Sequence, residues 1–174
     1  MANTYLQIYI HCIFAVKGRA NLIPKTHQDE LYKYITGIVT NKKQKLLAVG
    51  GMPDHVHLFL GLNHGGSLSD LIRDVKANFS RFINAQRWIR GKFEWQEGFG
   101  GFSYAHSQLH QVIQYILRQE EHHARRSFRE EYLQLLRQFA VEYDERYVFE
   151  WIDSAASLEH GAPTELGNGS QTNA

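Results

Sequence analysis

The stretch Pro53–Leu60, PDHVHLFL, reads as a strand. Alternation along an extended chain puts His55 and His57 on one face and Val56 and Leu58 on the other. Two imidazoles at i and i+2 on a rigid surface are able to share a divalent cation, each giving one ring nitrogen. They are equally able to sit in a sheet with ordinary hydrogen-bond partners, since a chain with ten histidines contains an H-x-H by chance easily enough.

Upstream, Tyr5–Phe14 alternates Leu6, Ile8, Ile10, Cys12 and Phe14 against Tyr5, Gln7, Tyr9 and His11. This predicts a half-buried strand with a polar, functional-looking face. If it lies beside the histidine strand, Tyr9 and His11 join one polar surface with His55 and His57. Pro24 and Thr26 open a helix to about Thr40, striped by Leu31, Tyr34, Ile35 and Ile38. Lys45–Gly50 reads as a strand and Gly51–Asp54 as a turn.

Downstream, Ser67 with Asp70 three residues on opens a helix carrying Leu68, Leu71, Ile72, Val75, Phe79 and Phe82. The aromatic, glycine-rich text GKFEWQEGFGGFSYAHSQ (residues 91–108) predicts a short strand followed by a loop. Ser107 caps a helix from Gln108 to about His123. Ser127-Phe128-Arg129-Glu130 is a capping box opening a last helix to about Val141, and Tyr147–Ile152 is a short closing segment. The order is strand, helix, strand, strand, helix, strand, with helices appended. It predicts an α+β fold, a ferredoxin-like or RRM-like antiparallel sheet with helices on one face plus a C-terminal helical pair. Residues 1–153 form one domain, and the small polar residues at 154–174 form a flexible tail.

Composition narrows the class. With 43% hydrophobic and 13% aromatic residues in 174, the chain folds around a real core. No apolar run approaches the roughly 20 residues that span a bilayer, and no charged-then-apolar leader opens the chain. Cys12, alone, excludes an intrachain disulfide and a multi-cysteine zinc site, so a cytoplasmic protein is expected. A net charge of +1 argues against non-specific coating of nucleic acid. Its distribution is less neutral: Arg73, Lys76, Arg81, Arg87, Arg90 and Lys92 are opposed only by Asp74 and interleaved with Phe79, Phe82, Trp88 and Phe93. Basic and aromatic side chains together suit single-stranded nucleic acid, although amphipathic helices look similar. Arg118, Arg125, Arg126 and Arg129 are interleaved with Glu120, Glu121 and Glu130, which equally describes a solvated helix face.

A histidine pair leaves most of an octahedral ion open, so further ligands are expected. On the helix 108–123, Tyr115 and Gln119 lie one turn apart at the margin of the arc Leu109, Val112, Ile113 and Ile116. His123 falls inside that arc, the position of a hydrogen-bonded core histidine, and is a spare candidate ligand. His122 lies back toward Tyr115.

Three blocks in order, MPDHVHLFL (52–60), FEWQEGFGGFS (93–103) and VIQYILRQEEHHARRSFREE (112–131), resemble the single-tyrosine HUH transposases of small bacterial insertion sequences and their REP-associated relatives. The resemblance runs from about Tyr5 to Tyr147. It implies the HUH endonuclease fold, with His55, His57 and Gln119 binding Mg²⁺ or Mn²⁺ and Tyr115 as nucleophile. The implied reaction cleaves and rejoins single-stranded DNA through a 5′-phosphotyrosine link. It also implies recognition of hairpin DNA, by Arg73, Lys76, Arg81, Arg87, Arg90, Lys92, Trp95 and Phe99 among others. A homodimer is implied too, with active sites completed in trans, working in the cytoplasm at the nucleoid. Two alternatives stand beside it: a domesticated hairpin-DNA-binding protein without transposition, and an unrelated metallohydrolase with no use for Tyr115.

Overall fold

The computed structural model describes residues 3–148. Most of the expected closing segment, and the tail at 154–174, lie outside the described residues. The elements are β1 (Ile8–Ala15), α1 (Gln28–Asn41), β2 (Lys45–Met52), β3 (His55–Leu62), α2 (Leu68–Gln86), β4 (Gly100–Tyr104), α3 (Leu109–Leu117), α4 (Gln119–His123) and α5 (Phe128–Gln138). The strands form one antiparallel sheet in the order β2-β3-β1-β4. This βαββαβ arrangement is the expected ferredoxin-like fold.

Period-two alternation divides the sheet as the sequence reading requires. Cys12, Phe14, Val56, Leu58 and Leu60 face Leu31, Ile35 and Val39 of α1 and Leu71, Ile72, Val75, Phe79 and Ile83 of α2. The opposite face carries His11, His55 and His57, and it is not open. Helices α3 and α5 roof it: Val112 and Ile116 pack on Ala48 and Phe59, while Phe128, Tyr132, Leu135 and Leu136 pack around Ile13, Ala15 and Phe102. Each large apolar side chain buried there stabilises by about 1.5–3 kcal/mol. That gain offsets the desolvation of a polar pocket enclosed between two apolar clusters.

Two glycines let these helices come close. A Cβ on Gly50 of β2 would stand 2.2 Å from the Ile116 carbonyl oxygen of α3. One on Gly100 of β4 would stand 2.7 Å from the Tyr132 hydroxyl of α5. Side chains at either place would hold the roof off the sheet.

Some local expectations change. β1 starts at Ile8 because no strand pairs with Tyr5 and Leu6, which stay exposed. The aromatic stretch runs as loop first and strand second. Phe93 is fully buried against the first core and Trp95 packs beside it, which spends these aromatics before β4 begins. Ser107 lies within the short 3-10 turn His106–Gln108 and is not a cap; the Ala105 N–H there donates to Gln108 Oε1. Around Ser127 the capping box forms as expected, with both reciprocal bonds present. The predicted helix 108–123 breaks at Arg118 (φ −104°, ψ 31°), and α4 carries on from Gln119.

Candidate active site

The histidine strand sets the floor. His57 sits opposite Ile13 of β1, one diagonal step from His11, and Nδ1 of His57 is 2.8 Å from Nε2 of His11. His55 Nδ1 donates to Asp54 Oδ1 at 2.7 Å, and Arg19 Nη2 binds the other carboxylate oxygen at 3.0 Å. A histidine that donates one ring N–H to a carboxylate keeps the lone pair of its other nitrogen free. With Nδ1 of His55 on Asp54 and Nδ1 of His57 on His11, both Nε2 atoms face the space beneath the roof.

From above, α4 and α5 bring an amide, an imidazole and a carboxylate. Gln119 is 2% exposed, and its Oε1 is 3.1 Å from His123 Nε2 and 3.4 Å from His55 Nε2. His123 Nε2 reaches Glu131 Oε2 at 2.6 Å. The other oxygen of Glu131 is 3.1 Å from His57 Nε2, but the two are misaligned for a hydrogen bond, and both atoms are buried without a hydrogen-bond partner. One donor atom each from His55, His57, His123 and Glu131 lies within 4.8 Å of all the others. Metal bonds of about 2.0–2.6 Å put opposite donors about 4–5 Å apart, so this set fits a single ion.

Electrostatics match the geometry. Burial lowers the His55 pKa to about 4 despite Asp54, so the ring is neutral at neutral pH, as a ligand must be. Burial likewise lowers His11 well below the ordinary histidine value, and the neighbouring His57 adds to the effect. For Glu131 burial works upward, but the hydrogen bond from His123 and the electrostatic pull of the adjacent His57 outweigh it and hold the carboxyl well below its usual range. The carboxylate is charged.

Tyr115 hangs from α3 beside this cluster, its ring 6.2 Å from each of the His11 and His57 rings and 4.6 Å from His122. Burial raises its pKa above the ordinary phenol value, and the Glu131 charge and hydrogen bond raise it further. A phenol so placed stays protonated until something lowers that cost. Tyr115 and Glu131 line a polar cleft of about 350 Å³ together with Gln108, Gln111, Arg126 and Gln134.

The residues singled out in the sequence thus converge: His55, His57, Tyr115 and Gln119 meet, and His123, the spare, meets them too. All come from one chain, so the expected completion in trans is not needed to assemble the constellation. Sequence reasoning missed Glu131. Its signal was present: Phe128, Glu131, Tyr132 and Leu135 share one helical stripe, and a carboxylate on a buried stripe needs a partner. Asp54 and Arg19 were also missed, the first hidden in the turn residues and the second in a loop.

Six of the eight expected DNA contacts, Arg73, Lys76, Arg81, Lys92, Trp95 and Phe99, line a groove of about 750 Å³ across the sheet from Tyr115. Arg87 ends α2 in the left-handed conformation, and Arg90 is exposed in the following loop. Not all of these side chains are at liberty. Lys76 Nζ donates to the Gln96 and Gly98 carbonyls at 2.7 and 2.8 Å, and Arg73 is paired with Asp70 and Asp74. Trp95 donates to the Lys76 carbonyl and stacks among Phe14, Phe79 and Phe93, so its ring serves the core. Lys92, exposed on the groove surface, is paired with Glu94 at 2.8 Å, and Arg81 and Phe99 also line that surface.

Among described residues no helix is long and apolar enough to cross a membrane. Two solved structures share the fold. One is a candidate transposase from Deinococcus radiodurans R1, with TM-score 0.53 and 24% identity over 67% of this chain and 94% of that one. The other is a REP-associated tyrosine transposase bound to a REP hairpin, with TM-score 0.50 and 17% identity over 67% of this chain and 68% of that one. A search of curated protein sequences found none that matches. The family model for IS200-like transposases matches residues 4–119, two-thirds of the chain and all of the sheet, and the chain belongs to that family.

Proposed function

We propose that this transposase cleaves and rejoins single-stranded DNA through Tyr115. The observation that carries the reading is the convergence of Tyr115 with His55, His57 and Gln119 inside one chain, beside a cleft open to solvent. A divalent ion held by the histidine pair and Gln119 would supply positive charge to polarise a backbone phosphate and offset charge building in the transition state. The chain's own groups do the rest. Asp54 and His11 orient the two imidazoles, with Arg19 behind Asp54. Arg126, on the rim of the cleft, draws in the phosphate.

Tyr115 Oη attacks phosphorus, its proton leaving to water. The bond to the 3′-oxygen breaks, and that oxygen takes a proton to become a free 3′-hydroxyl. The 5′ side stays esterified to Tyr115. Bond energy is conserved in the phosphotyrosine ester, so a 3′-hydroxyl can reverse the step and join strands without ATP. Hairpin DNA is the substrate class, with Arg81, Lys92 and Phe99 of the groove as contacts to phosphates and bases. The protein would act in the cytoplasm, where such strands are exposed.

The test is a labelled single-stranded hairpin incubated with the protein and Mn²⁺, read on a denaturing gel. An adduct that disappears in Tyr115→Phe and with EDTA is expected. Cleavage surviving Tyr115→Phe would remove the tyrosine mechanism, and binding with no adduct across a broad set of hairpins would favour a binding protein that has lost the chemistry.

A further inference from the structure

The metal reading above rests on His55, His57 and Gln119. Building on it, we infer that Glu131 of α5 and His123 of α4 are ligands too, giving a site of three histidines, one carboxylate and the Gln119 amide that takes a first-row transition ion in preference to Mg²⁺.

Three observations carry this. Glu131 is 3% exposed on a stripe that is otherwise apolar. An acid on that stripe loses its hydration and needs compensation. Second, the compensation in this structure is incomplete: Oε1 of Glu131 and Nε2 of His57 are both enclosed, 3.1 Å apart, and neither completes a hydrogen bond. Two such atoms aimed into the same space describe a place for a cation. Third, the ring nitrogens are already directed. His55 Nδ1 is taken by Asp54 and His57 Nδ1 by His11, which leaves both Nε2 atoms to join His123 Nε2 and a Glu131 oxygen within a 4.8 Å span.

Donor chemistry then selects the ion. Mg²⁺ prefers oxygen ligands, keeps several waters and gives up hydration reluctantly. Three imidazoles and one carboxylate in a buried pocket suit Mn²⁺, Fe²⁺, Co²⁺ or Zn²⁺. Glu131 also brings one negative charge, which the neutral set of two histidines and Gln119 lacks. The C-terminal helices would then hold the ion as well as roof the sheet.

Binding of Co²⁺, Mn²⁺ and Mg²⁺ to the full chain, by titration calorimetry and by the Co²⁺ visible spectrum, tests this without any turnover. Expected are Co²⁺ and Mn²⁺ affinities well above that for Mg²⁺. Expected too are a loss of affinity of roughly tenfold or more in Glu131→Gln and in His123→Asn, and a Co²⁺ spectrum altered in both. Glu131→Gln keeps the side-chain shape, and far-UV circular dichroism checks that each variant is folded. His57→Ala separates the two readings. If it abolishes binding while folded Glu131→Gln and His123→Asn bind Co²⁺ like the parent, the larger ligand set is overturned and the histidine-pair reading stands. If His57→Ala also binds like the parent, both fall. Mg²⁺ binding as tight as Co²⁺ would overturn the selectivity.

Discussion

Cys12 sits on the first face of the sheet with no exposed surface, and burial pushes its thiol from 9 up to about 12. Two expectations follow from that shift. At pH 8 the native protein should give no reaction with a disulfide thiol reagent, and one thiol should appear on unfolding in guanidinium. Burial favours the neutral thiol, so its contribution to stability is complete below about pH 9. It drains away as pH rises from 9 toward 12, because the unfolded thiol ionises first. Denaturant midpoints of the parent and Cys12→Ala measured across that range should show the parent losing more with pH. At this scale the sequence was readable where a period applied. Two-residue alternation placed His55 and His57 opposite Val56 and Leu58, and helical spacing placed Tyr115 one turn before Gln119. Glu131 was harder to see because its neighbour Glu130 satisfied the capping pattern and drew the eye. The register that sends one acid to the cap and the next to the site is a matter of about 100° around a helix.

Helix α3 carries Tyr115, the proposed nucleophile, and its height above the sheet is set at Gly50. Gly50→Ala should therefore do more than ordinary cavity-filling harm. A methyl 2.2 Å from the Ile116 carbonyl oxygen has no flexible side chain to push aside, so the backbone next to Tyr115 must lift. We expect a stability loss of about 1–3 kcal/mol from the overpacking, read by urea denaturation, and a fall in adduct yield larger than stability alone would give. Gly37→Ala is the control: it lies on α1 with nothing within 4 Å of the added carbon, and should stabilise by about 0.5–1 kcal/mol with adduct yield unchanged. An unaffected adduct in Gly50→Ala would mean that α3 does not need this seat. Element by element, the helices of the first face were legible because their stripes are apolar throughout. The break at Arg118 was not, since nothing in the local residues marks it and helical hydrogen bonds run up to Arg118 from either side.

For the whole molecule, the question is which chain supplies what. The histidines and the tyrosine meet within one copy here, so a mixture of Tyr115→Phe with His57→Ala should form no more adduct than either variant alone. Adduct recovered in the mixture would show that copies exchange their tyrosine helices. The sheet order and the βαββα core could be inferred from the order of strands and helices. The roof could not, because its packing joins residues far apart in the chain: His55 and Gln119 are separated by 64 positions.

That separation also orders events in time. A chain that has left the ribosome as far as Gln86 holds β1, β2 and β3 with both helices of the first face, and so has the means to bury Phe14, Leu58 and Phe79. Its imidazoles have no phenol, amide or acid above them yet. Strand β4 must still pair along the outer side of β1 before α3, α4 and α5 close over the other side. Domains built on such long-range pairings complete late. A site assembled in this order lacks its phenol and its amide until synthesis has passed Gln119.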